Sequence, residues 1–186
     1  MSAEKGIKDT LSQLKTQFST SPPKAHIIGI SGAGGNGAQY LANHTDPGTH
    51  EHMSMTFLDT DRENIALRLK KAEEEGNKCF LKWIESGRCS FLLIGEEITK
   101  GRGAGGDPEQ GARAVEASKE AIMEHIGDAD LVLSITGLGG GTGTKGSAVI
   151  AKLAKEAGKE SFVVGIKPFV VEENRLDYAD EGEDQA

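Results

Sequence analysis

Apolar positions along the chain switch repeatedly between two periods. Short apolar runs read as buried strands: Ala25–Ile30, Met53–Leu58, Phe91–Ile94, Leu131–Ile135 and Phe162–Ile166. Between them the spacing turns helical: Gly35–Asn43, Glu63–Glu75, Pro108–Ile126 and Gly143–Ala157. The clearest of these helices is Pro108–Ile126. Asp107 is its expected N-cap, Pro108 takes the first helical position, and Gln110 completes a capping-box-like start. Its apolar face is expected from Ala112, Val115, Ile122 and Ile126, and Gly127 ends it. A further stripe, Ile7, Leu11, Leu14 and Phe18, predicts a short leading helix before the breaker run 19–23.

Strands alternating with helices imply βα units. The expected fold class is α/β, a three-layer Rossmann-like, mostly parallel sheet with helices on both faces. The expected division is a leading helix and linker over 1–24, a main α/β domain over 25–171, and an acidic segment over 172–186. A chain of 186 residues is long enough for one core without a disulfide staple.

Composition adds one strong signal. There are 25 glycines, near twice the usual share. Fifteen of them fall in three clusters, at 29–37, 101–106 and 137–146. Each cluster lies between a strand and a helix. Ligands in such sheets bind at the carboxyl ends of the strands, so the three glycine loops are expected to meet at one site.

The remaining totals mostly exclude. No apolar run approaches the roughly 18 residues of a membrane span, and the first ten residues do not read as a signal peptide. Cys79 and Cys89 match no zinc or redox spacing and are read as reduced thiols of a cytoplasmic protein. The sequence offers no evident base for either, so nucleophilic catalysis is not expected. The net charge of −8 argues against nucleic acid as a partner. Most of it sits in 172–186, with seven acids and one arginine. His50 and His52 would share a face on a strand, but a third metal ligand is not evident, so they read as loop or strand-edge histidines.

The first glycine loop taken alone suggests a dinucleotide. Gly32-Ala-Gly34-Gly-Asn-Gly37 fits G-x-G-x-x-G between a strand and a helix, and Asp59 follows at the distance of a ribose-binding acid. The third loop points elsewhere. Gly137-Leu-Gly-Gly-Gly-Thr-Gly-Thr144 offers converging backbone N–H groups, two hydroxyls and a helix N-terminus. A dinucleotide site needs no second phosphate cradle; a nucleoside triphosphate does. The loop is not a Walker A motif, because Lys145 follows Thr144 and Gly146 separates it from Ser147.

GGGTGT at 139–144 resembles the signature of the tubulin/FtsZ GTPases, usually GGGTGTG. IIGISGAGGNGA at 27–38 resembles the family's first nucleotide loop. LDTD at 58–61, ITKGRGAGGDPEQG at 98–111, KPF at 167–169 with Glu172, and RLDYADEG at 175–182 extend the likeness. It covers 25–182 and is closer to FtsZ than to eukaryotic tubulin.

The resemblance implies GTP or GDP binding, with Mg²⁺ arriving on the nucleotide. By position it assigns Gly32, Ala33, Gly34, Gly35 and Asn36 to the phosphates and the guanine side. Gly103, Ala104, Gly105 and Gly106 would sit by the γ-phosphate. Gly140, Gly141, Thr142, Gly143 and Thr144 would hold the α- and β-phosphates, Glu172 the ribose, and Arg175 the base.

Departures are equally specific. Lys145 stands where the family usually has glycine, and Gly37 where it usually has alanine. The stretch 77–90 reads as an insertion whose Phe80, Trp83 and Ile84 form a local cover. The family's guanine-reading acid and its water-activating loop lie beyond Ala186, so no catalytic residue is expected in this chain. Without that next helix, one flank of the sheet is expected to be bare. The function implied is a filament-forming GTPase of cell division, associating with itself or an FtsZ-like partner, slow in hydrolysis alone. A regulatory or capping module of FtsZ type is the alternative, and a NAD-binding oxidoreductase a more distant one.

Overall fold

The computed structural model describes residues 22–74, 78–168, 179–180 and 182. The expected leading helix, Glu172 and Arg175 lie outside the described residues. Five strands form one sheet: β1 (Ala25–Ile30), β2 (Met53–Asp59), β3 (Cys89–Leu93), β4 (Leu131–Gly137) and β5 (Glu160–Ile166). Their order is β3-β2-β1-β4-β5, and every pairing is parallel. The chain steps outward from β1 to β3, then returns to the other side of β1 with β4. The direction of travel thus reverses between β1 and β4, the place where open α/β sheets bind ligands.

Side chains on β1 alternate between two cores. Ile28 and Ile30 join Leu58, Val132 and Ile150 on one face, under α5 (Pro108–Ala117), α6 (Lys119–Ile126) and α7 (Gly141–Glu156). Ile27 joins Met55, Phe57 and Ile135 on the other, under α1 (Ser31–His44), α2 (Arg62–Glu74) and α3 (Lys78–Glu85). A parallel sheet buried on both faces needs this continuous apolar composition. A short helix, α4 (Glu96–Thr99), follows β3. On β5, Phe162 and Val164 pair with Leu133 and Ile135, yet stay 57% and 48% exposed.

Three elements differ from the sequence expectation for physical reasons. The first helix begins at Ser31 rather than Gly35, because its glycines pack into the first turns. A Cβ at Gly34 would overlap the Ile135 carbonyl. The expected helix over 108–126 is two helices that meet at Ser118, whose Oγ accepts a hydrogen bond from the Gly95 N–H at 2.9 Å. Its first half buries Gly111, Ala114 and Val115 rather than Ala112, because α5 presses closely on α7. A Cβ at Gly111 would overlap the Gly141 carbonyl. The insertion forms α3, whose Phe80 and Trp83 are fully buried. The Trp83 indole donates to the Thr45 carbonyl at 3.0 Å, and Arg88 lies 5.2 Å from its ring centre.

Candidate functional site

Two helices begin at the reversal point, and both begin with glycine-rich turns. α1 opens Ser31-Gly-Ala-Gly-Gly directly from β1, and α7 opens Gly141-Thr-Gly-Thr after β4. Neither has a side-chain N-cap. The contrast is α5, whose Asp107 carboxylate accepts from the N–H groups of Glu109 at 2.9 Å and Gln110 at 3.3 Å. The first N–H groups of a helix have no partner within it. In α5 a side chain supplies one; in α1 and α7 none does.

Between these two helix starts lies a cavity of about 370 Å³. It is lined by Ile30, Ser31, Gly32, Ala33, Asn64, Gly137, Leu138, Gly140–Gly143 and Ile166–Pro168. The helix dipoles and unpaired amides make such a place favourable to an anion. Gly32 and Gly140 have nothing within 4 Å of where a Cβ would stand. Ser31 holds a left-handed φ of 58° at the cavity wall, a conformation that costs a non-glycine residue about 1–3 kcal/mol.

The residues expected from the sequence divide among three positions. Gly32, Ala33, Gly140, Gly141, Thr142 and Gly143 line the cavity. Gly34 and Gly35 are buried in packing, Gly34 against β4 and Gly35 against the Arg68 guanidinium, while the Asn36 amide oxygen accepts from Arg68 at 3.2 Å. Thr144 is buried behind the loop. Its hydroxyl donates to the Gly140 carbonyl at 2.5 Å and accepts from the Gly139 N–H at 3.0 Å, closing the turn.

The segment 103–106 stands beside the cavity wall. A Cβ at Gly141 would lie 2.8 Å from Ala104 Cβ and 3.1 Å from the Gly106 nitrogen. Gly103, Gly105 and Gly106 all take φ between 60° and 82°, which explains glycine at those three positions.

Asp59 does not behave as a ribose-binding acid. It is 5% exposed. One carboxylate oxygen accepts from the Asp61 N–H at 3.0 Å and the other from the Asn64 side chain at 3.3 Å. Burial pushes its carboxyl above the usual range, against those two bonds. The acid that the dinucleotide reading requires is committed to its own turn.

Lys145 pairs with Glu109 on α5 at 2.6 Å, and α7 runs unbroken through it. His50 bonds Thr49 and the Asp46 carbonyl. Among the described residues, no three His, Cys, Asp or Glu side chains group to hold a metal ion. Cys89 is buried, which pushes its thiol up to about 12.

Sequence reasoning missed Ser31, Asn64, Leu138 and Ile166 as cavity residues. Lys167 and Pro168 belong to the quoted KPF segment without having been assigned a place. The Lys167 ammonium lies 3.3 Å from Asp180. Ala179 and Gly182 are helical and buried, and a Cβ at Gly182 would stand 2.8 Å from the Thr144 methyl.

Comparison with known proteins gives a consistent picture. The family model described as "Tubulin/FtsZ family, GTPase domain" matches residues 24–182. The chain is similar to cell division protein FtsZ 2 of Haloferax volcanii, at 37% identity over 97% of this chain and 39% of that protein. It is similar to the mitochondrial division protein fszB of Dictyostelium discoideum, at 34% identity over 77% of this chain and 33% of that protein. Among solved structures it resembles the empty FtsZ dimer of M. jannaschii, with a TM-score of 0.68 and 29% identity, over all of this chain and 46% of that one. The chain thus spans less than half the length of each of these relatives. No described helix is long and apolar enough to cross a membrane. With the family model matched over most of its length and the glycine loops gathered at the sheet's reversal point, the chain belongs to the tubulin/FtsZ family, in its GTPase domain.

Proposed function

We propose that this chain is the guanine-nucleotide-binding part of an FtsZ-like cytoskeletal GTPase that forms filaments in cell division. The observation that carries the reading is the meeting of two uncapped, glycine-rich helix starts at one cavity. A polyphosphate supplies the acceptors those N–H groups lack, and one anion can be shared between both helix ends. Gly32 and Ala33 would hold it from α1, and Gly140–Gly143 from α7. Residues 103–106, next to Gly141, would meet the terminal phosphate, while Thr144, Gly34, Gly35 and Asn36 would keep the cradle's shape. Glu172 and Arg175 are proposed for the ribose and base. Mg²⁺ would arrive on the phosphates, where it neutralises charge while keeping most of its waters.

The names of the relatives support a division role, and the M. jannaschii protein was solved as a dimer. Self-association is proposed for this chain on that likeness, and a cytoplasmic location with it. Hydrolysis by the 186-residue chain alone is proposed to be slow, because the family places the water-activating acids in a second domain. Two assays test this. A fluorescent guanine nucleotide should bind and be displaced by unlabelled GDP and GTP. Phosphate release from GTP should fall far below the roughly 10 s⁻¹ typical of enzymes. Failure to bind would sink the reading; rapid turnover would sink only the claim of slow hydrolysis.

A further inference from the structure

The start of α1 is held weakly by its own sequence. Four of its first seven residues are glycine, Gly32, Gly34, Gly35 and Gly37, and each costs up to about 1 kcal/mol of helix propensity relative to alanine. It has no side-chain cap. Something else must fix how its first turns face the cavity.

Arg68, on the neighbouring α2, does this with one guanidinium. Nη1 donates to Gln39 Oε1 at 2.6 Å, and Nη2 donates to Asn36 Oδ1 at 3.2 Å and to the Gly32 carbonyl at 3.3 Å. Residues 32, 36 and 39 form one stripe at helical spacing. The guanidinium carbon lies 5.3 Å from the centre of the Phe57 ring on β2, so the group is anchored on the sheet as well as on α1. Gly35 makes the room: a Cβ there would collide with the guanidinium.

We propose that Arg68 is a positioning residue of the nucleotide site, clamping the first two turns of α1 so that the Gly32 and Ala33 end of the cradle faces the phosphates. Arg68 does not line the cavity, so it acts through α1 and not by touching ligand. A planar fork with five donors is preorganised to bond three acceptors along a helix; a compact lysine ammonium on a flexible stem is not. This clamp rests on the reading of the cavity as a guanine-nucleotide site.

The test compares the wild-type chain with Arg68→Met, Arg68→Lys and Gln39→Ala. Arg68→Met keeps an unbranched apolar stem and removes every donor. Arg68→Lys keeps the charge without the fork, and Gln39→Ala removes the shortest bond by truncating a half-buried side chain. Titration with a fluorescent GDP analogue is done well below each melting temperature. Amide hydrogen exchange of 32–36 and of 140–144 is followed in the ligand-free proteins. The clamp predicts GDP affinity about tenfold weaker in Arg68→Met, with Arg68→Lys and Gln39→Ala in between. It also predicts faster exchange at 32–36 and unchanged exchange at 140–144. A purely structural role would lower the melting temperature and leave affinity and the local exchange pattern alone.

Wild-type affinity in both Arg68→Met and Gln39→Ala overturns the clamp, and so does wild-type affinity in Arg68→Lys, which would leave charge alone as the cause. If Arg68→Met does not fold, the Lys and Gln39 variants decide. If the wild type itself binds no guanine nucleotide, both the clamp and the reading beneath it fall.

Discussion

The hydroxyls of Thr60 and Thr142 lie 2.7 Å apart and share a buried hydrogen bond. Thr60 directly follows β2; Thr142 is the second residue of α7. The Thr60 carbonyl also accepts from the Gly103 N–H at 3.0 Å and the Thr99 hydroxyl at 3.1 Å. One residue therefore joins the β2 turn, the 103–106 loop and the start of α7, segments that are far apart in sequence.

Thr60→Val keeps the shape and removes the hydroxyl. It leaves Thr142 with a buried, unpaired group, a loss of about 1–3 kcal/mol. Urea unfolding of the ligand-free chain measures it. The Thr60→Val, Thr142→Val double variant should recover part of the loss, because no orphan hydroxyl then remains.

Two neighbouring glycines should respond in opposite ways. Gly34→Ala places a methyl group against the Ile135 carbonyl, backbone that cannot swing aside, and should cost about 3 kcal/mol. Gly32→Ala meets nothing within 4 Å and should keep stability or raise it slightly, by up to about 1 kcal/mol of helix propensity. Its effect should appear in weaker GDP binding, since Gly32 lines the cavity. Thermal unfolding paired with a nucleotide titration separates the two.

His26 makes stability depend on pH. Its ring is buried on β1, 2.7 Å from Ser54 Oγ and 3.0 Å from Thr56 Oγ1. Burial, followed by the charges of His125 and Lys159, pushes it from an ordinary 6.5 down to about 4. The unfolded chain takes up the proton first as pH falls. The stabilisation from a neutral His26 is thus complete above about pH 6.5 and is lost between there and about pH 4, on the order of 3 kcal/mol in all. The unfolding free energy from urea titrations should fall from pH 7 to pH 5 by about 2 kcal/mol, and His26→Gln should flatten that dependence.

The sequence made the alternation of strands and helices legible, because a sheet buried on both faces leaves apolar runs such as AHIIGI. It also placed the three glycine clusters near one another. What it hid depends on long-range contacts. Nothing local marks Ser118 as a helix break, because its cause is the Gly95 N–H 23 positions away. Nothing local separates Gly32, which lines the cavity, from Gly34, which packs on β4. Asp59 sits at a ribose-binding spacing, and only its burial and its two bonds show that it is occupied. Arg68 belongs to no glycine motif, yet three of its bonds reach the first loop's helix.

The most direct measurement is an amide chemical-shift titration of the isotope-labelled chain with GDP, with NADH as the parallel ligand. The account predicts saturable shifts with GDP, largest at Gly32, Ala33 and Gly140–Gly143, and none of comparable size with NADH. Shifts with NADH alone, or GDP shifts centred away from both helix starts, would contradict it.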